Sequence, residues 1–168
     1  HQRINAAMAI TAFIEVAKVL NINVDAKLIQ QALKNTAVPG RFEEVLPNVF
    51  FDGAHNPASV HALVQTVQTY YPKNRVEIIL GMLKDKDVQE VLHVIEPIAS
   101  KIQFIDIPNE RALSAQQFYE LSNHHNKEIV YDALSTIFAP VPVNTIRIVT
   151  GSLYLLADLR AKIKKLSK

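Results

Sequence analysis

The sequence predicts an α/β fold, in which a mostly parallel, six-stranded sheet carries helices on both faces and follows two helices. After residue 41, short apolar segments alternate with helical ones, which is the pattern of a parallel sheet covered by helices. The segment RVEIILGML at 75–83 is largely apolar, as expected of a strand buried on both faces. The sequence Val-Pro-Gly-Arg at 38–41 interrupts the chain, and we expect a boundary or hinge there.

Two helices are predicted before this boundary. Residues 1–20 are rich in alanine, a strong helix former, and include the apolar residues Ile4, Met8 and Phe13. The segment NVDAKLIQQALKN at 23–35 has Asp25 near its start and apolar residues on one face, so it is the second predicted helix.

Strands and helices alternate after the boundary. FEEVL and VFFD are predicted to form a hairpin-like strand pair joined by Pro-Asn. The remaining predicted strands are RVEIILGML, KIQFIDIP, EIVYD and TIRIVTG, and the predicted helices cover residues 56–71, 87–99, 114–124, 133–141 and 152–166.

Composition excludes several classes of protein and site. The 168 residues include no cysteine, so disulfides and thiolate metal sites are ruled out, and a cytoplasmic location is expected. The net charge of +2 and the lack of a basic run before the terminal KIKKLSK argue against a nucleic-acid partner. The longest apolar stretch, INAAMAITAFI, is too short to span a bilayer, so no membrane partner is expected.

The stretch FFDGAHNPAS at 50–59 is the strongest candidate site. Asp52 follows an apolar strand, and ligands of open α/β sheets bind at the carboxyl ends of strands. Asn56 and Pro57 suit the start of a helix, and the small Gly53 lets a ligand approach. The stretch therefore predicts a place for a nucleotide ribose or a polar substrate. The alternative is a plain helix cap in which His55 only makes a structural hydrogen bond.

The other histidines carry no predicted site. His124 and His125 are adjacent, without the spacing of metal ligands or nearby acids, so we expect them in a surface loop and predict no metal site. His61 and His93 fall inside predicted helices and receive no role.

Five motifs together resemble the folylpolyglutamate synthases, ATP-dependent amide-bond ligases of the Mur ligase superfamily. They are HQRIN, PGRFE, FDGAHNP, GMLKDKD and VTGSLYL, in the order and spacing of that family and over essentially the whole chain. The resemblance implies that residues 39–168 are a Rossmann-like Mur ligase C-terminal domain. It also implies that residues 1–38 are the helical tail of a central ATPase domain, and that the chain is part of a longer protein.

The resemblance implies roles for four residues in handling ATP. Asn5 matches an asparagine that contacts adenine, and Arg41 matches an arginine that contacts the phosphates, a task that suits a guanidinium fork. Asp52 matches a nucleotide-binding aspartate. His55 is expected at the mouth between domains, as a catalytic residue that supports the reacting groups.

The amino-acid substrate is assigned to two further positions. The GMLKDKD loop of related ligases supplies a lysine for the incoming carboxylate, which implies Lys86, with Lys84 as the alternative. Ser152 opens the last predicted helix, whose N-terminus suits a second anion. The sequence lacks a G-x-x-x-x-G-K-[ST] loop, so the phosphate loop, the Mg²⁺ ligands and most of the pterin pocket are expected in the missing N-terminal ATPase domain.

The implied function is part of a ligase that uses ATP to add L-glutamate to folate or folylpolyglutamate, with this piece alone inactive. The resemblance leaves open whether the parent enzyme also makes dihydrofolate. Two other classes remain: a stand-alone nucleotide-binding or interaction module without catalysis, and a hydrolase in which Asp52 and His55 form an acid–base pair. The absence of a nucleophilic serine or cysteine in an elbow motif counts against the hydrolase.

Overall fold

The computed structural model describes residues 2–166, with the side chains of residues 4–165. The chain divides into two compact units between Val38 and Pro39. This division falls within the Val-Pro-Gly-Arg sequence that interrupts the chain.

The first unit consists of two helices, α1 (Gln2–Val19) and α2 (Ala26–Asn35). The carboxylate of Asp25 accepts a hydrogen bond from the backbone N–H of Lys27 at 2.7 Å and so caps α2, in agreement with the predicted helix start. Most large apolar side chains of this unit remain exposed, among them Met8, Phe13 and Leu28. The two helices therefore present a largely apolar surface.

The second unit contains a six-stranded sheet in the order β1-β2-β6-β3-β4-β5. Its strands are β1 (Glu43–Leu46), β2 (Val49–Phe51), β3 (Arg75–Leu80), β4 (Lys101–Ile105), β5 (Lys127–Val130) and β6 (Thr145–Thr150). The β1–β2 pair is antiparallel, and all the other neighbours are parallel. The mostly parallel six-stranded sheet and the leading hairpin predicted from sequence are thus confirmed.

Five helices accompany the sheet. They are α3 (Pro57–Tyr70), α4 (Val88–Ile95) with a following 3₁₀ turn (Glu96–Ile98), α5 (Ala115–Leu121), α6 (Ala133–Phe138) and α7 (Leu153–Leu166). Helix α5 is shorter than predicted because its C-terminus is fixed by tertiary contacts: the Ser122 hydroxyl donates a hydrogen bond to the Glu96 carboxylate at 2.7 Å.

The core lies on both faces of the sheet, as the apolar strands predicted. On one face, Ile78 and Phe104 pack with the buried residues of α3, α4 and α5. On the other face, Ile79 packs with the buried residues of α6 and α7. Successive residues of β3 thus point to opposite faces, which fixes the register of the strand and the direction of the loop that follows it.

The prediction that His124 lies in a surface loop is wrong. Its exposed fraction is 7%, and its ring nitrogens lie 2.9 Å from the carbonyl oxygens of Asn126 and Ala99. His125 is exposed and stacks on the buried ring at a centroid distance of 4.7 Å. His124 joins the loop after α5 to the residues that precede β4, a long-range contact that a local pattern does not reveal.

None of the helices within residues 2–166 combines the length and apolar character that a bilayer crossing requires.

Candidate functional site

The carboxyl ends of β2, β6 and β3 lie side by side, and hydrogen bonds join the loops that follow them. The backbone N–H of Gly151 donates to the carbonyl of Ala54 at 2.9 Å, and the Thr150 hydroxyl donates to the same carbonyl at 3.2 Å. The N–H of Gly81 donates to the carbonyl of Thr150 at 3.2 Å. These bonds hold the three strand ends, and hence the side chains carried by their loops, in fixed positions.

A cavity of about 220 Å³ opens at this edge of the sheet. Its polar and aromatic lining consists of His55, Asp85, Lys86, Arg111, Ser152 and Tyr154. Three residues singled out from sequence, His55, Lys86 and Ser152, therefore lie at one cavity. This agrees with the rule that parallel strands present their carboxyl ends on one side of a sheet.

His55 is held by the local sequence His-Asn-Pro-Ala-Ser. Its Nδ1 lies 2.7 Å from the carbonyl oxygen of Gly53; because a carbonyl only accepts, Nδ1 donates. The following residues form a reciprocal helix cap, in which the Asn56 Oδ1 accepts from the Ser59 N–H and the Ser59 hydroxyl accepts from the Asn56 N–H. In the neutral ring, Nε2 then carries the lone pair and can accept a proton.

Lys86 and Ser152 are contributed to the cavity lining by different loops, those after β3 and β6. The Nζ of Lys86 is 3.5 Å from a carboxylate oxygen of Asp85, which is longer than a charge-assisted hydrogen bond. The Ser152 hydroxyl oxygen accepts from the N–H of Tyr154 at 3.2 Å and leaves its own hydrogen free to donate at the start of α7. The alternative lysine, Lys84, is exposed and does not line the cavity.

Arg111 was missed by the sequence reasoning. It follows β4 and lines the cavity, and its guanidinium has no side-chain partner in the part of the chain that the structure describes. The rule that parallel strands present their carboxyl ends on one side of the sheet applies to Arg111 as it does to Lys86, since both residues come after a parallel strand. The signal was therefore present but was not accompanied by a familiar motif.

Asp52 is buried at the end of β2, with an exposed fraction of 7%, and does not line the cavity. One carboxylate oxygen accepts from the Ala54 N–H at 2.9 Å and the other from the Phe42 N–H at 2.8 Å. Burial raises the pKa of Asp52, opposed by these two hydrogen bonds and by the charge of Arg41. The carboxylate thus joins the loop after Pro39 to the loop after β2, and its nucleotide-binding role stays a prediction.

The loop that carries Arg41 is fixed by an ion pair. Glu43 accepts from the Gly40 N–H at 2.7 Å and from both terminal nitrogens of Arg160 on α7. The hydrogen bond with Arg160 is the main reason why the pKa of Glu43 is lowered. Arg41 itself is exposed, which leaves its guanidinium accessible to a ligand.

Asn5 lies on α1 in the first unit and is exposed. Of the other polar residues in the HQRIN motif, His1 lies outside the described residues, and the side chains of Gln2 and Arg3 are not described. The predicted adenine contact of Asn5 stays a prediction.

Residues 40–152 match the family described as Mur ligase, glutamate ligase domain. The chain is 34% identical to the dihydrofolate synthase/folylpolyglutamate synthase of Bacillus subtilis, over 98% of this chain and 39% of that protein. It superposes on the Escherichia coli FolC in complex with DHPP and ADP with a TM-score of 0.83 and 24% identity, over 98% of this chain and 39% of that one.

A third similar structure is a bifunctional folylpolyglutamate synthase/dihydrofolate synthase with Mn, AMPPNP and L-glutamate bound, with a TM-score of 0.72 and 23% identity over 85% of this chain and 36% of that one. The chain thus spans about two fifths of the length of the relatives named above. The family match extends from the loop of Gly40 to Ser152, and so includes the predicted site residues of the second unit. The chain belongs to the Mur ligase family, as a glutamate ligase domain.

Proposed function

We propose that this chain is the C-terminal part of an ATP-dependent ligase that adds L-glutamate to folate or folylpolyglutamate. The observation that carries the proposal is the cavity at which Lys86, His55 and Ser152 meet beside the carboxyl ends of three strands. The names of the similar proteins and the share of their length that the chain spans support it. Residues 1–38 are proposed as the tail of the ATPase domain, and residues 39–168 as the C-terminal domain.

Glutamate is the ligand proposed for the cavity. At neutral pH it carries two carboxylates, and the cavity offers an ammonium group on Lys86 and the start of α7 at Ser152. The two groups belong to different loops, so two carboxylates of one small molecule can be bound separately. The L-glutamate named in one of the similar structures supports this choice.

ATP is proposed as the second substrate, bound by Asn5, Arg41 and Asp52. The exposed Arg41 suits the phosphates. Asp52 contributes by joining the Arg41 loop to the His55 loop through its two backbone hydrogen bonds, in addition to any contact with the nucleotide. Among residues 2–166 there is no cluster of acidic and histidine side chains suited to a metal, so the Mg²⁺ ligands are proposed in the upstream domain.

The proposed reaction is amide-bond formation. ATP phosphorylates the terminal carboxylate of the folate, and the amine of glutamate attacks the acyl phosphate with release of phosphate. The ammonium of glutamate must lose a proton first, and His55, which lines the same cavity and uses its Nδ1 to bind the Gly53 carbonyl, is proposed to accept this proton at Nε2. Positioning by Lys86 and Ser152 accounts for the remainder of this domain's contribution.

The proposal is tested by comparing the 168-residue chain with the longer protein that includes the upstream region. The longer protein should release ADP only when both a reduced folate and L-glutamate are present, whereas the chain alone should fold and release none. A coupled assay for ADP measures both. Folate- and glutamate-dependent ADP release by the chain alone, or no such release by the longer protein, contradicts the proposal, and the latter result favours a non-catalytic module.

Replacing Lys86 by alanine in the longer protein should weaken the use of glutamate far more than that of ATP. Loss of one charge-assisted contact costs roughly 1.5–3 kcal/mol, which corresponds to about a ten- to a hundredfold rise in the KM for glutamate. Steady-state kinetics with each substrate varied in turn measure the effect. Lys84→Ala is the matched control, because it removes the same charge from the same loop outside the cavity. Equal effects of the two substitutions contradict the assignment.

A further inference from the structure

The cavity contains a second cation, Arg111, that has no role in the proposed function as stated so far. We infer that Arg111 binds the side-chain carboxylate of the incoming amino acid. This contact makes the cavity selective for an amino acid with an acidic side chain. This inference rests on the proposal that the cavity takes glutamate and specifies how glutamate is distinguished from neutral amino acids.

Arg111 and Lys86 are carried by two segments that are hydrogen-bonded to each other. Leu83 and Ala112 form an antiparallel bridge between the loop after β3 and the loop after β4. The Lys84 N–H donates to the carbonyl of Arg111 at 2.8 Å, and the Leu113 N–H donates to the carbonyl of Met82 at 3.0 Å. Arg111 therefore lies in a short two-stranded ribbon with residues 82–84, and Lys86 lies in the turn that follows this ribbon, so the position of one loop constrains the other.

The turn that carries Arg111 is itself fixed. The Asn109 side chain accepts from the Arg111 N–H at 2.9 Å, and the Asn109 carbonyl accepts from the Ala112 N–H at 2.9 Å. The backbone of Arg111 is thus held on both sides, and ordering of the loop does not have to accompany ligand binding. This lowers the entropic cost of using its guanidinium.

The charges of the cavity are complementary to an acidic amino acid. Arg111 and Lys86 contribute two cations, and Asp85 contributes one anion. Glutamate has two carboxylates and one ammonium, which is the opposite set. Asp85 lies 3.5 Å from Lys86, whereas the guanidinium of Arg111 has no counter-ion within the described part of the chain. A free guanidinium fork suits bidentate binding of a carboxylate. The selectivity for an acidic side chain is therefore assigned to Arg111.

The test compares L-glutamate with L-glutamine, which has the same shape but a neutral side chain. Binding to the 168-residue chain is followed by NMR titration of the wild type and of Arg111→Ala, Arg111→Lys, Lys86→Ala and Lys84→Ala. The wild type should prefer glutamate. Arg111→Ala should weaken glutamate binding by about ten- to a hundredfold and reduce the preference over glutamine. Arg111→Lys should restore part of the preference, and Lys84→Ala should change neither.

Each other result has a defined meaning. If Lys86→Ala weakens glutamate binding while Arg111→Ala does not, the role of Arg111 is overturned and the proposed function stands. If Arg111→Ala weakens both ligands equally, Arg111 does not determine selectivity and the inference is again overturned. If the wild type does not bind glutamate in preference to glutamine, both the inference and the placement of glutamate in this cavity are overturned. The amide spectrum of each variant verifies that it remains folded.

Discussion

Alanine in place of Gly151 should destabilise the second unit by roughly 2–5 kcal/mol, through backbone strain and overpacking. Gly151 has φ +105°, in the region that favours glycine. A Cβ at this position would lie 2.4 Å from the carbonyl oxygen of Gly81 and 2.7 Å from the Cγ of Met82. Neither β3 nor β6 can move aside, because the two central strands are hydrogen-bonded along their length. Urea unfolding followed by circular dichroism measures the loss.

Gly53→Ala is the matched control. Its added Cβ would lie 2.4 Å from the Cδ2 of Leu153, the end of a side chain that is 47% exposed and can change rotamer. The substitution adds the same methyl group in the neighbouring loop after β2, but the obstacle is a side chain that can move, so the loss of stability should be markedly smaller. Similar losses for the two variants would show that close packing at the junction of β3 and β6 is not what requires glycine.

The architecture followed from sequence because each element has a local signal. Asn56 can be recognised as a helix cap from the residues next to it, and β3 and β6 can be recognised as strands from their apolar runs. Both signals are local in the sequence. The strand order did not follow. The insertion of β6 between β2 and β3 depends on how α7 and the other helices pack on the sheet. The packing energy that favours this order is distributed over the whole core.

The site was predictable only in part. Lys86 was indicated by the resemblance of its loop to that of related ligases, and Ser152 by its place at the start of a predicted helix. The rule that the carboxyl ends of parallel strands meet then predicted that the two residues lie near each other. The hydrogen bond from Phe42 to Asp52 could not be predicted, since it requires Phe42 at φ 46° and a loop closed across ten residues. Arg111 was missed because no familiar motif accompanies its position after a parallel strand, and the bridge between Leu83 and Ala112 that fixes its loop leaves no periodic signal.

Replacement of Arg147 by methionine should destabilise the second unit by about 3–5 kcal/mol, the usual loss when one partner of a buried ion pair is removed. Arg147 lies in the centre of β6 with an exposed fraction of 5%. Its Nε and Nη2 donate to one carboxylate oxygen of Glu77 at 2.9 and 2.7 Å. Its Nη1 donates to the carbonyls of Thr136 and Ala139, at 2.6 and 2.8 Å, and so binds the end of α6.

The loss of stability arises from the unpaired Glu77 carboxylate that the substitution leaves in the sheet. A double substitution separates the cost of this charge from the cost of lost packing. In Arg147→Met the Glu77 carboxylate, whose side chain is 15% exposed, stays in the sheet without its cation. Adding Glu77→Leu removes that stranded charge, so the double variant should recover most of the stability, since apolar residues often replace a buried pair without loss. The partly exposed pair of Lys101 and Glu128, 2.9 Å apart, is the control: Lys101→Met should cost about 0–1 kcal/mol. Chemical unfolding of the three variants and the wild type measures these differences. A double variant no more stable than Arg147→Met alone would place the energy in the two carbonyl contacts of α6, because these are the interactions of Arg147 that the second substitution cannot replace.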